Sequence, residues 1–448
     1  MPSQRERARR HTLAFVTAVA FLPLVFHDSL SANPGSRILT VLGLVENGTL
    51  RADAWRDLTI DGAFVGGHFY SDKAPLSSFL VVPFFFVWRA LVHRPLAPLD
   101  LDVAVFLGDG VTAALPFAAF TALLRRSAAR WTSARDAVWI ALMAAFGSCV
   151  FVAAGAYVGN VLAGALFVFA YHLAACDLER RATLAGFLAG LAVLSEYPML
   201  VGAALLGVYV ATRGVKLAAR FAMGAAPCAA VMLAYDAAVT GSPFDLPQRH
   251  VRALFFPPWG RRFALDAQTL HAARMLLFSE YRGLLVYAPL LLVLFPLAIA
   301  RAESSARRGL LLAIACAQFI FVASYWMWDG GWSIGPRHLV ALIMLLTYEG
   351  VGALARTPRA QLPFVGLASA GLALNLVAVA TNPFVEGFMH PFNELYWPAF
   401  ARGEITPHNL FSFVLGLHPG QACVFLWCAL FLATGVTFAR LASRHAAA

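Results

Sequence analysis

The chain has 448 residues, of which 60% are hydrophobic and 13% charged, with a mean hydropathy of +0.70. A soluble globular chain is about 45–50% apolar and about 25% charged, so a soluble domain is excluded. The net charge of +10 lies in short clusters between apolar runs, as in cytoplasmic membrane loops, which argues against a nucleic-acid surface.

At the N-terminus Arg5, Arg7, Arg9 and Arg10 precede an apolar run over Thr12–Phe26, and no small-x-small cleavage site follows it, the next residues being His27-Asp28-Ser29. A retained first helix with a cytoplasmic N-terminus is expected. Apolar segments long enough for about 30 Å of hydrocarbon follow in chain order. They lie near 12–27, 76–92, 102–124, 137–158, 161–175, 182–196 and 198–212, then 217–239, 284–300, 309–327, 338–354, 361–381 and 422–440. The predicted fold is an all-α integral-membrane bundle of about 12–13 helices, one domain over residues 1–448, with a long, partly helical first loop.

Basic clusters at 125–135, 180–181, 213–220 and 301–308 mark one face as cytoplasmic. Counting back from an inside C-terminus places three long polar stretches, 28–75, 240–283 and 382–421, on the extracytoplasmic side. Thirteen full spans do not close this parity. One segment between 28 and 124, or the pair at 182–212, is therefore expected to be interfacial or re-entrant. The six cysteines form no Cys-x-x-Cys pair and the twelve histidines no paired ligand spacing, so no zinc framework is expected. Asp53, Asp57 and Asp61 recur every four residues. A helix through them would present an acidic face, either solvated or able to hold a divalent cation; no other cofactor is expected.

The first loop carries the densest chemistry. Residues 37–46 predict a short amphipathic helix in the interface plane, with Ile38, Leu42 and Val45 on one side and Asn47-Gly48 ending it. Asp28, at the outer mouth of the first helix, is placed either to act as a general base with a tunable pKa or simply to be solvated. Lys73, before Pro75, is placed to meet a lipid phosphate or to snorkel as an anchor. Arg282 and Arg337 adjoin apolar runs among glycines and aromatics, where a guanidinium could hold phosphate bidentately or anchor a helix end.

The order of an acid at the mouth of helix one, a helix ending Glu46-Asn47-Gly48-Thr49-Leu50, and then Gly67-His68-Phe69-Tyr70-Ser71-Asp72-Lys73-Ala74-Pro75 resembles a known family. It is similar to the polyprenyl-phosphate-dependent glycosyltransferases of the C superfamily, in the branch of the bacterial family 39 and lipid A aminoarabinose transferases. Leu194-Ser195-Glu196-Tyr197-Pro198, Tyr281 to Pro289 and Trp328 to Arg337 fit the same branch, and the resemblance spans roughly residues 12–340.

The resemblance implies an inverting transfer of a hexosyl or pentosyl group from a polyprenyl-phosphate sugar to an acceptor hydroxyl of a glycan, lipid or protein. The reaction would lie at the extracytoplasmic face of the inner membrane. Asp28 matches the catalytic base and Lys73 the lysine on the lipid phosphate. Arg282 and Arg337 would help to neutralise that phosphate, and Tyr70, His68, Asn160 and Glu196 are further substrate-binding candidates. Ser29 replaces the usual glutamate, Asn160 an acid or histidine, and Glu196 a lysine of some relatives. Two other readings stay open. A lipid or sugar-lipid transporter would usually show repeats around a midplane site, and none is visible; a non-catalytic relative in an envelope assembly complex would tolerate the substitutions at Ser29 and Asn160.

Overall fold

The computed structural model describes residues 4–27, 30–251, 257–381 and 390–406, with isolated positions beyond. Asp28, Ser29, the expected helix at 422–440 and parts of the 240–283 and 382–421 loops lie outside the described residues.

The all-helical membrane class holds. Six helices are long and apolar enough to cross a bilayer among the described residues: Pro98–Ala128, Gly159–Cys176, Val215–Thr240, Ser305–Ser324, Arg337–Ala355 and Pro358–Thr381. Shorter apolar helices lie at Thr12–Phe26, Leu76–Val92, Met199–Ala211 and Leu291–Ala300. The protein is a multi-pass membrane protein. Two expected segments are corrected. The segment at 137–158 is not one helix: Ala134–Phe146 stops at Gly147, where a side chain would lie 2.9 Å from the Ala368 backbone. The segment at 284–300 breaks at Ala288-Pro289 into Leu284–Tyr287 and Leu291–Ala300. The carbonyl freed at Tyr287 accepts from the Cys149 amide and from Asn375 Nδ2, each at 2.9 Å. Broken helices persist in membrane proteins where neighbours satisfy their backbone in this way.

The chain forms two compact units. One comprises Asp28–Pro116 and Ala156–Phe263; the other comprises Met1–His27, Phe117–Gly155 and Ala264–Ala448. For brevity they are called the loop unit and the motif unit.

In the loop unit the first-loop helix runs over Ala32–Asn47, starting five residues before the expected 37. Gly48 ends it in the left-handed region at φ 63°, with its amide on Leu44 O at 3.2 Å and the Thr49 amide on Gly43 O at 3.0 Å, the terminal pattern that favours glycine. This helix is not the one-sided interfacial helix expected from its pattern. Every residue from Pro34 to Gly43 is buried, and Ile38, Val41 and Leu42 pack with Val81, Phe85, Ala104, Val105 and Tyr157. The core thus surrounds its first turns.

A β-hairpin not foreseen in the sequence follows: Gly62–Val65 pairs antiparallel with His68–Ser71, Ala63 facing Tyr70. Gly66 and Gly67 turn it at φ 58° and 89°, the two positive angles that a two-residue hairpin loop demands. Ahead of it, Asp53–Leu58 is a 3-10 turn, so the spacing of four between Asp53, Asp57 and Asp61 does not make one acidic face. Asp53 turns to His68, Asp57 stands exposed beside Arg56, and Asp61 pairs with Lys73. Among the described residues no group of three metal-binding side chains forms.

Candidate functional site

In the loop unit the hairpin register puts Asp72 and Lys73 directly after the second strand, beside the first-loop helix. Lys73 Nζ donates to Asp61 Oδ2 and Asp72 Oδ2, both at 3.0 Å, with its side chain 15% exposed. Burial alone would lower its pKa, but the two carboxylates outweigh it and hold the ammonium above the usual lysine range. Asp72 is also buried and accepts from Ser36 Oγ at 2.7 Å. Tyr235 donates to the Lys73 carbonyl at 3.4 Å. The snorkelling alternative therefore fails on geometry: this ammonium is locked inside the protein by two acids.

Next to Ser36 on the first-loop helix is a residue that sequence reasoning left out of the site. Arg37 is 1% exposed and donates from Nη2 to Glu196 Oε1 at 2.6 Å and from Nε to Asn33 Oδ1 at 3.1 Å. Its Nη1 has no hydrogen-bond partner among the described residues. Gly159, ahead of Asn160, is what lets this pair close, because a methyl group there would lie 2.3 Å from Glu196 Oε1 and 3.0 Å from Arg37 Nη2. The first loop, the start of the Gly159–Cys176 helix and the Glu196 turn thus meet in one cluster. The signal for Arg37 was an arginine inside an otherwise apolar helical face.

The remaining loop-unit candidates are less central. His68 Nδ1 is 2.9 Å from Asp53 Oδ2, and the Phe69 amide donates to Asp53 Oδ1 at 2.7 Å. Burial pushes Asp53 up, but these two bonds outweigh it and leave its carboxyl below the usual range. Tyr70 is buried against Ala63, Tyr235 and Val239. Asn160 is half-buried in the first turn of its helix.

In the motif unit the two stretches flagged at 281–289 and 328–337 interlock. Arg282 is fully buried and gives Nε to Asp329 O at 2.6 Å, Nη1 to Tyr281 O at 3.0 Å and Nη2 to Gly331 O at 2.5 Å. Its guanidinium also lies 3.9 Å from the Tyr281 ring centre. The Asp329 carboxylate accepts from Tyr281 OH at 2.8 Å and from the Gly331 amide at 3.2 Å. Gly330, Gly331 and Gly335 hold positive φ of 77°, 63° and 65°, and Arg337 lies across Gly330, where a methyl group would sit 2.8 Å from its Cγ. Glycine is needed for that backbone and for that approach. Arg282 is thus the pin of a glycine turn that carries Arg337.

No protein-family model and no curated protein matches the chain. Solved structures do resemble it. ArnT from Cupriavidus metallidurans in the apo state matches at TM-score 0.52 and 16% identity, over 97% of this chain and 77% of that one. The same protein bound to undecaprenyl phosphate matches at TM-score 0.54 and 15% identity, over 95% of this chain and 76% of that one. Likeness at these identities establishes architecture alone: the chain has a polytopic helical fold like that of the ArnT structures.

Proposed function

We propose that the chain is a membrane glycosyltransferase that moves a sugar from a polyprenyl-phosphate donor to an acceptor hydroxyl. The observation that carries the reading is the fold likeness to ArnT over nearly the whole chain, including a structure that holds undecaprenyl phosphate. The loop-unit cluster supports it through Arg37, a buried guanidinium whose Nη1 has no partner among the described residues and suits a hydroxyl-rich substrate.

The chemistry follows for each residue. Asp28 takes the proton of the acceptor hydroxyl while that oxygen bonds to the anomeric carbon. The bond from that carbon to the phosphate oxygen breaks on the opposite face, so the configuration inverts and polyprenyl phosphate leaves. Charge gathers on the leaving phosphate in the transition state, where fixed cations in a water-poor place act most strongly. Lys73 and Arg337 are the proposed contacts to phosphate. Arg282 holds the turn of Arg337 and contributes a charge that no carboxylate among the described residues pairs with. Tyr70, His68, Asn160 and Glu196 are the proposed surroundings of the substrate, with Arg37 added to them. The active face is proposed to be extracytoplasmic, in the inner membrane. No cofactor enters this scheme.

The test is release of polyprenyl phosphate from a labelled prenyl-phosphate sugar by purified protein in detergent. Release with a suitable acceptor, reduced about a hundredfold or more in Asp28→Asn, is expected. Normal release in Asp28→Asn would move the base elsewhere; none from the unaltered protein with any prenyl-phosphate sugar offered would return the transporter and non-catalytic readings.

A further inference from the structure

The motif unit contains a charged cavity that the glycosyl-transfer reading does not use. It lies where the basic loops meet helix ends, among Ser127, Arg130, Arg301, Arg307, Glu349 and Arg356. Its floor is a buried ion pair: Arg307 places Nε and Nη2 on the same Glu349 oxygen at 2.9 and 2.6 Å. The third donor of Arg307 goes to Glu303. Both acids of the cavity are therefore satisfied by one arginine.

The other three arginines have no acid partner among the described residues. Arg356 is held by neutral groups, with Nη2 on the Arg301 carbonyl at 2.9 Å, Nε on the Gly352 carbonyl at 3.2 Å and its plane 5.4 Å from the Trp131 ring centre. Arg130 and Arg301 are exposed, and no ion pair engages their side chains among the described residues. Four arginines against two glutamates leave the cavity at +2. Gly352 keeps it open, since a methyl group there would lie 3.1 Å from Ser127 Oγ. The enclosed space is about 20 Å³, room for little more than one water at about 10–15 Å³ each, so an anion would sit at the mouth of the cavity, beside the exposed Arg130 and Arg301.

We infer that the mouth of this cavity is a phosphate-binding site, occupied by the headgroup of an anionic phospholipid or by free phosphate. The guanidinium fork matches phosphate oxygens bidentately, and basic pockets between membrane helices collect anionic headgroups. The site is independent of the proposed reaction, so either can fail alone.

The experiment measures thermal unfolding of the full chain in detergent, with phosphatidylglycerol, phosphatidylcholine or inorganic phosphate added at constant ionic strength. Phosphatidylglycerol should raise the midpoint and phosphatidylcholine should not. Arg130→Gln/Arg301→Gln, both at exposed positions, should need about tenfold or more added lipid for the same rise. Gly352→Ala should weaken the response without altering charge. A response to inorganic phosphate that the arginine variant loses identifies free phosphate as a sufficient ligand; a response to lipid alone identifies the headgroup. The control Arg213→Gln/Lys216→Gln, in the loop unit, should respond as the unaltered protein does. An undiminished response in Arg130→Gln/Arg301→Gln, or an equal loss in the control, overturns the proposal.

Discussion

Lys73 in the loop unit and Arg282 in the motif unit are both buried cations in motifs read as phosphate-binding, yet they are held by opposite means. Lys73 sits between two carboxylates, so its charge is more than balanced by its own neighbours. Arg282 is held by three backbone carbonyls, which orient it without cancelling its charge. A buried charge persists only when it is paired or fully hydrogen-bonded, and these two residues show one solution each. The difference teaches that position in a motif does not settle a role. Arg282 shapes backbone, whereas Lys73 is a charge set among charges, tunable by whichever acid is present.

The comparison predicts different failures. Arg282→Met removes three charge-assisted bonds and strands the carbonyls of Asp329 and Gly331. A stability loss of about 3 kcal/mol or more is expected, seen as a lower unfolding midpoint in detergent, with Arg282→Lys recovering only part because an ammonium cannot span the fork. A midpoint unchanged in Arg282→Met would dissolve the contrast with Lys73.

A smaller loss is expected from Gly159→Ala. The added methyl presses on Glu196 and on the Ser195 carbonyl at 2.8 Å, and relief of such overpacking typically costs about 1–3 kcal/mol. Glu196→Gln in the same background should add less than it costs alone, because groups in one cluster couple. Simple additivity of the two changes would separate Gly159 from the Arg37–Glu196 pair.

The smallest effect concerns pH. Asp53 has a depressed pKa in the fold, so its contribution to stability is present above the unfolded carboxylate value of about 3.9. That contribution is lost as pH falls through the folded value below it. Its side chain is 49% exposed, so solvent screening keeps the effect under about 1 kcal/mol. Asp53→Asn should flatten the fall of the unfolding midpoint between about pH 5 and pH 3. An unaltered slope would show that the Asp53–His68 contact carries no stability.

The class of fold was legible because runs of apolar residues report burial in lipid directly. Helix ends were legible where a special residue marks them, as Asn47-Gly48 does. The break at Gly147 was hidden, because it lies against a distant backbone, that of Ala368; the break at Ala288-Pro289 had its signal in the proline, and only the donors that satisfy it, Cys149 and Asn375, are distant. The hairpin was readable in principle from Gly66-Gly67 between Phe64-Val65 and His68-Phe69. Missing it also hid the pairing of Lys73 with Asp61, twelve residues away, since only the hairpin register returns the chain to that acid. Arg37 was overlooked because the helix was taken as interfacial, where an arginine needs no partner.

The central claim is that the Lys73 charge serves function beyond balancing its two acids, and one measurement reaches it most directly. Lys73→Met should destabilise the fold by about 3–5 kcal/mol by stranding Asp61 and Asp72, and Lys73→Met/Asp61→Asn should recover much of that loss. Polyprenyl phosphate release should be measured on both, alongside thermal unfolding. The account predicts that the double variant regains its midpoint while release stays about a hundredfold or more below the unaltered protein; recovery of release together with stability would contradict it and leave Lys73 as the counter-ion of Asp61 and Asp72.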